Sequence, residues 1–408
     1  MTLTSGSPSD HDMRPRAGSG AYRRTVVALV AAAVATFAQL WSVQPILPAI
    51  AEGFGASASQ AALAVSLATG GLAGFTLVWS GAADRFGRAR VIGVSLLAAT
   101  LVGCAIPFVA DLWVLLVLRA LQGAALGGVP AAAVAYLSEE IHPADAPRAT
   151  GLYIAGNPLG GMGGRLLAGL AADLGGWQWG IAANTLLALV ALAVFALVLP
   201  RGAGVSRAAS PSAGAGGAGM GGRVRAAVTT PGLIALYTQA LLLMGAFMTV
   251  YNLLGFRLMA EPFGLSQAAA SLLFLSYTAG MVGSAVAGGA VARWGGYAVL
   301  TAATAAMAVG LGGMFATALP GLLAALLVMT FGFFCAHATA SAWVGTRAVR
   351  GRAQAMAVYT LAYYLGSSLF GWVGGLVYDG VGWGGSVVFA LGLCAAAAAA
   401  GLRLRRLR

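Results

Sequence analysis

The stretch SGAADRFGRARVI at 80–92 joins two long apolar runs, and GGAVARWGGYAVL at 288–300 repeats its outline. Arg85 matches Arg293, Phe86 matches Trp294 and Gly87 matches Gly295, each at an offset of 208 residues. A basic, glycine-containing turn between apolar runs, met twice, indicates a duplicated membrane domain with this turn on one face of the bilayer. Working outward, the apolar runs are 26–50, 59–82, 91–110, 112–137, 149–172, 177–199, 230–255, 267–291, 298–319, 321–345, 355–378 and 384–402. Runs of about 18 or more apolar residues read as membrane-spanning helices, because lipid offers backbone polar groups no partner outside the helix.

Arginine placement supports the twelve-span reading. Of 23 basic residues, all arginine, twenty fall in segments on one side of the membrane when the N-terminus is set inside. Only Arg257 falls on the outer side, and inner-side arginine is what fixes topology. The chain is 60% apolar and 8% charged, which excludes a water-soluble globule. The net charge of +12 is spread over every inner loop, so anionic membrane lipid, not nucleic acid, is its expected partner. Cys104, Cys335 and Cys394 lie in apolar runs without metal-ligand spacing, so neither disulfide nor metal is expected.

Residues 1–22 are polar and rich in Gly, Ser and Pro and are expected to be disordered on the cytoplasmic side. Arg23 and Arg24 before an apolar run superficially match an export signal, but eleven further spans follow, so the first run reads as a retained helix. The longest polar break, 200–229, is a Gly/Ala/Ser linker. It separates an N-terminal six-helix bundle, 23–199, from a C-terminal one, 230–408. A second echo, AEGFGAS at 51–57 against AEPFGLS at 260–266, opens the outer loop after the first span of each half. Two parallel halves suggest alternating access around a site at their interface.

These features resemble the major facilitator superfamily over the whole ordered chain. Its signature between the second and third spans matches Asp84, Arg85, Gly87 and Arg88, with Ser80 in place of the leading Gly and Ala292 in place of the Asp in the second copy. The resemblance implies an all-α membrane fold of twelve transmembrane helices in two pseudo-symmetric bundles. It also implies that Asp84 and its basic neighbours latch the cytoplasmic side, with the start of the eleventh span near 352–356 as partner. Helix-terminal amides favour an anion there; lipid-phosphate binding is the competing role for the arginines.

All eleven acidic residues map to loops or span ends, leaving Arg119, Arg165 and His337 as the ionisable groups within spans. Arg119, in LRALQGAALGG at 118–128, stands eight residues past Asp111, roughly 12 Å deep. With Gln122 it resembles the superfamily's fourth-span motif, which implies proton coupling; snorkelling to the headgroups is the competing reading. GLYIAGNPLGGMGGR at 151–165 resembles the antiporter motif at Gly156, Pro158, Gly160 and Gly161, with Asn157 where Gly is usual, and implies export. Its glycines would admit backbone contact with a neighbouring helix, and Arg165 would line the cavity as a fixed charge or else snorkel. His337 could carry the coupling proton or pack as a neutral core residue. Gln39, Gln44, Gln122, Tyr251 and Asn252 are candidate cavity residues, since the first and seventh spans should meet at the site.

The expected function is secondary active transport, namely proton-coupled efflux of small amphiphilic compounds or drugs. The chain resembles a twelve-span drug:proton antiporter subgroup of the bacterial inner membrane. The cavity, flanked by Arg119 and Arg165 and free of acids, is expected to favour neutral or anionic cargo over cations. Cargo of the sugar or organic-anion class is the alternative, and a polytopic membrane enzyme a remote one, since GxSxG and HExxH are both lacking. No P-loop is present, so no nucleotide or other cofactor is expected, and a monomer suffices.

Overall fold

A computed structural model describes residues 14–200, 225, 227, 229–348 and 351–405. Among these, the secondary structure is helical throughout. Spans one to four are Gly20–Trp41, Ala58–Phe86, Arg88–Phe108 and Leu112–Glu140. Spans five and six are Ala146–Gly175 and Trp177–Val198. Spans seven to ten are Gly232–Met259, Gln267–Trp294, Gly296–Gly313 and Leu319–Arg347. A continuous stretch, Arg352–Arg405, holds spans eleven and twelve, folded at Gly382 with φ 73° and ψ −168°. The fold is therefore the expected all-helical, twelve-span one.

Local sequence sets the helix ends. Gly87 and Gly295, the matched glycines of the duplicated turn, have φ of 93° and 82°. That left-handed region suits glycine and stops one helix so that the next begins at once. Span two starts with a capping box: Ser57 Oγ accepts from Gln60 N at 3.3 Å, and Ser57 N donates to Gln60 Oε1 at 2.9 Å. Asp111 starts span four by accepting from Val114 N at 3.0 Å.

Glycine also sets how closely spans approach. Gly156, Gly160 and Gly164 recur every four residues and face span one, where an added Cβ would press on Ala33, Val34 and Ala38. The glycines of span five thus let its backbone lie directly on span one. Gly123 performs the same role between spans four and two, against Ala68.

The N-terminal expectation needs correction over 14–22. Ser19 caps the first helix, Ala17 N donates to Asp145 at 3.0 Å, and His142 N donates to Pro15 O at 3.1 Å. This segment is docked on the loop between spans four and five. The disorder expected for 1–13 and most of the linker expected across 200–229 lie outside the described residues, while at the end of that linker Arg225, Ala227 and Thr229 are helical.

Across the two sets of six spans, two against eleven and five against eight make the main contacts. Ser368 Oγ donates to Ser66 O at 2.7 Å near mid-span. Asp379 accepts from Ala58 N and Ser59 N at 3.0 and 3.2 Å, and Asp173 from Ala268 N at 3.3 Å. Gln267 donates to Pro45 O at 2.6 Å. These cross-bundle hydrogen bonds lie between mid-span and the end opposite the arginine-rich loops. They hold the molecule closed at that end.

Candidate functional site

A cavity of about 330 Å³ lies between the bundles at mid-span. Its wall is aromatic: Phe37 and Trp41 from span one, Phe247 from span seven, Tyr277 from span eight, Phe334 from span ten, and Tyr359, Tyr363 and Tyr364 from span eleven. Polar groups are few, chiefly Asn157, Arg165, Ser284, His337 and Thr360. Among the described residues no carboxylate lines it.

Arg165 is 2% exposed and held from several sides. Its Nε donates to Gln44 Oε1 at 2.6 Å and its Nη1 to Gly161 O at 2.8 Å. The guanidinium carbon lies 4.6 Å from the Trp41 ring, 4.7 Å from Tyr277 and 5.2 Å from Phe274, a cation–π enclosure joining both bundles. Gln44 in turn donates to Asn252 Oδ1 at 2.7 Å, a direct bond between the halves. Snorkelling is excluded for this arginine.

Arg119 takes a different place. It is 1% exposed and is absent from the cavity wall, contrary to the expectation that it flanks the cavity. Its Nη1 donates to Gln39 O at 3.1 Å, its Nη2 to Leu40 O at 2.7 Å and its Nε to Ala64 O at 3.1 Å. Span one ends at Trp41, so the carbonyls of Gln39 and Leu40 lack backbone partners further along the helix, and Gln39 O has in their place the Ser42 hydroxyl at 2.9 Å. A cation at that negative helix end is doubly favoured. Gln122 completes the clasp, accepting from Arg119 and donating to Gln39 Oε1 at 3.1 Å.

His337 does line the cavity. Its Nδ1 is 3.0 Å from the Tyr359 hydroxyl, which is 3.2 Å from the backbone oxygen of His337 itself. The hydroxyl has one proton to give. Both contacts are satisfied together when it goes to the carbonyl and Nδ1 carries its own proton, the tautomer that leaves Nε2 as an acceptor. Ring contacts with Tyr363 at 4.7 Å and Phe333 at 6.0 Å fix the imidazole plane.

The remaining expected residues divide. Pro158 and Gly161 line the cavity, whereas Gly156 and Gly160 face span one. Of the five cavity candidates, none reaches the wall: Gln39 and Gln122 serve Arg119, Gln44 and Asn252 bridge the halves, and Tyr251 is sealed in the C-terminal bundle. There its hydroxyl meets Ser276 at 2.6 Å and Thr330 at 2.7 Å. Asp84 does not reach the eleventh span: its carboxylate is 3.5 Å from Arg88, which bonds Glu139 at 2.7 Å. These ion pairs stay inside the N-terminal half. Arg85 lies over the ring of its neighbour Phe86. Phe37, Trp41, Phe247, Tyr277 and Phe334 were missed, since apolar side chains in apolar runs carry no mark of facing a cavity.

The decisive comparison is with the family profile described as Major Facilitator Superfamily, which matches residues 29–348. The chain belongs to this superfamily. It is a multi-pass integral membrane transporter of small molecules and not an enzyme, so the membrane-enzyme alternative falls. It is 36% identical to the Inner membrane transport protein YnfM of Escherichia coli (strain K12) over 389 residues, 95% of this chain and 92% of that one. A partial match, 31% identical over 166 residues, is to the Puromycin resistance protein pur8 of Streptomyces alboniger, covering 40% of this chain and 32% of that one. In fold it is similar to a bacterial homolog of the human lysosomal transporter Spinster, solved inward-facing and unoccupied. That likeness has a TM-score of 0.76 at 17% identity, over 95% of this chain and 98% of that one.

Proposed function

We propose that this facilitator exports small amphiphilic compounds in exchange for protons, from a bacterial cytoplasmic membrane with both termini inside. The observation that carries the reading is the mid-span cavity, walled by aromatic rings and holding a titratable imidazole, His337, beside a buried cation. With the arginine-rich loops inside, the end held shut by Asp379, Gln267 and Asp173 faces outward, so cargo for export is collected from the cytoplasmic side. Rocking the bundles about the Gln44–Asn252 contact would open the other end. His337 is the intramembrane group whose charge can change within the physiological range, and the lone-pair Nε2 is its proton acceptor. Partial similarity to a puromycin resistance protein and the glycine-rich fifth span favour efflux. Arg119 acts as a positioning group that holds span one, Asp84 and Arg88 as the latch for the opposite state, and one chain encloses the whole site.

The test is flux of an aromatic dye in proteoliposomes with and without an imposed pH gradient. Gradient-driven flux is expected in the wild type and its loss in His337→Ala. Undiminished gradient-driven flux in that variant would remove the imidazole from the coupling. A wild type indifferent to the gradient would remove proton exchange altogether.

A further inference from the structure

We infer that the cavity selects aromatic carboxylates, with Arg165 as the residue that binds the acid group; this deepens the transport reading and rests on it. Arg165 carries a full charge at 2% exposure, yet its two hydrogen-bond partners, Gln44 and Gly161, are neutral. Among the described residues no carboxylate stands within ion-pair distance of it. A guanidinium has five N–H donors in a fork that matches a carboxylate, and the two bonds leave the rest of that fork unpaired by protein. Buried charge is costly unless paired. The ring faces of Trp41, Tyr277 and Phe274, 4.6, 4.7 and 5.2 Å from the guanidinium carbon, offset part of that cost without supplying a hydrogen-bond acceptor.

The rest of the wall sets the cargo's other end. Phe37 and Phe334, both only partly buried, offer ring faces and edges for stacking an aryl group. A volume near 330 Å³ is at the small end of ligand pockets, which run from about 300 to 1,000 Å³, and so suits a fused bicyclic acid better than a large drug. An organic cation would meet Arg165 with no acidic side chain in the wall to compensate. A neutral aryl compound would stack but leave the charge unanswered. The carboxylate satisfies both.

The experiment is calorimetric binding to the purified full chain in detergent, with 2-naphthoate, its neutral amide, 2-naphthylmethylammonium and acetate as probes. The naphthoate is expected to bind at least tenfold more tightly than the amide and the ammonium, and acetate, lacking the ring, far more weakly. Arg165→Gln should erase the preference of acid over amide while amide binding persists. The series on the unaltered protein decides the sign of the selectivity even where the variant does not fold. Ammonium or amide binding as tight as naphthoate overturns the inference alone, as does an acid preference that survives Arg165→Gln. Absence of binding by all four likewise overturns the inference, while proton-coupled export stands or falls by the flux test. No pH gradient enters, so a failure of proton coupling registers separately.

Discussion

Gln44 and Asn252 are bonded at 2.7 Å and stand 208 residues apart, the same offset as the duplicated turn at Arg85 and Arg293. The first spans of the two halves thus touch each other directly, at positions within one residue of equivalence by either repeat. Gln44 is also the acceptor for Arg165, so the inter-bundle bond and the cavity's charge share one side chain.

That sharing makes the two partners unequal. Gln44→Ala would orphan both Arg165 Nε and Asn252 Oδ1, whereas Asn252→Ala removes one acceptor from Gln44. The expected costs are about 2–3 kcal/mol for the first and about 1 kcal/mol for the second, from the penalty for unsatisfied buried groups. Thermal unfolding of the two variants and the double variant in detergent measures this. Equal losses would mean that Arg165 does not depend on Gln44.

For Arg119 the expectation is a stability defect without a change in ligand preference. Arg119→Ala strands the Leu40 carbonyl and removes a second donor from Gln39 O, which keeps the Ser42 hydroxyl, and from Ala64 O, which stays inside its helix, at about 1.5–3 kcal/mol for each charged hydrogen bond not regained from water. Arg119→Lys should rescue little, because an ammonium cannot reproduce the planar fork. Melting temperature and naphthoate affinity are the paired readouts; a shifted selectivity at unchanged stability would place this residue in the site after all.

Asp379 holds the closed end by capping the start of span two at Ala58 and Ser59. Removing a helix N-cap costs ~1 kcal/mol, which corresponds to about a fivefold change in population. Asp379→Ala should therefore raise opening at this end about fivefold. A cysteine at the buried Ser66, in a background lacking Cys104, Cys335 and Cys394, reports it through its rate of labelling by an impermeant thiol reagent. Unchanged labelling would assign the closure to packing alone.

Two glycines of span five separate contact from composition. Gly160→Ala drives a Cβ into the backbone of Val34 and should cost about 1–3 kcal/mol as overpacking. Gly163 has open space around its would-be Cβ, so Gly163→Ala should be neutral or gain up to about 1 kcal/mol of helix propensity. Circular dichroism melts of both proteins check the contrast.

Span count, duplication and the glycine face of span five were legible in the chain because each follows from a local rule. Lipid demands about 20 apolar residues per crossing, and glycines four apart share one face of a helix. The duplicated glycines likewise mark turns at Gly87 and Gly295 wherever the bundles sit. The docked segment before Gly20 was not legible, since its order comes from Asp145 and His142, more than 120 residues away.

Arg119 and Arg165 are the same object in the sequence, a lone arginine in an apolar run. Only packing tells them apart: one meets the terminal carbonyls of span one, 79 and 80 residues back, and the other meets Gln44 across 121 residues at the edge of a cavity. Hydropathy and arginine placement decide how often and in which sense a chain crosses lipid, because each span answers to the solvent by itself. Which polar group faces a cavity depends on the rotation and closeness of neighbouring helices, a property of side-chain packing among spans that no single span's residues contain.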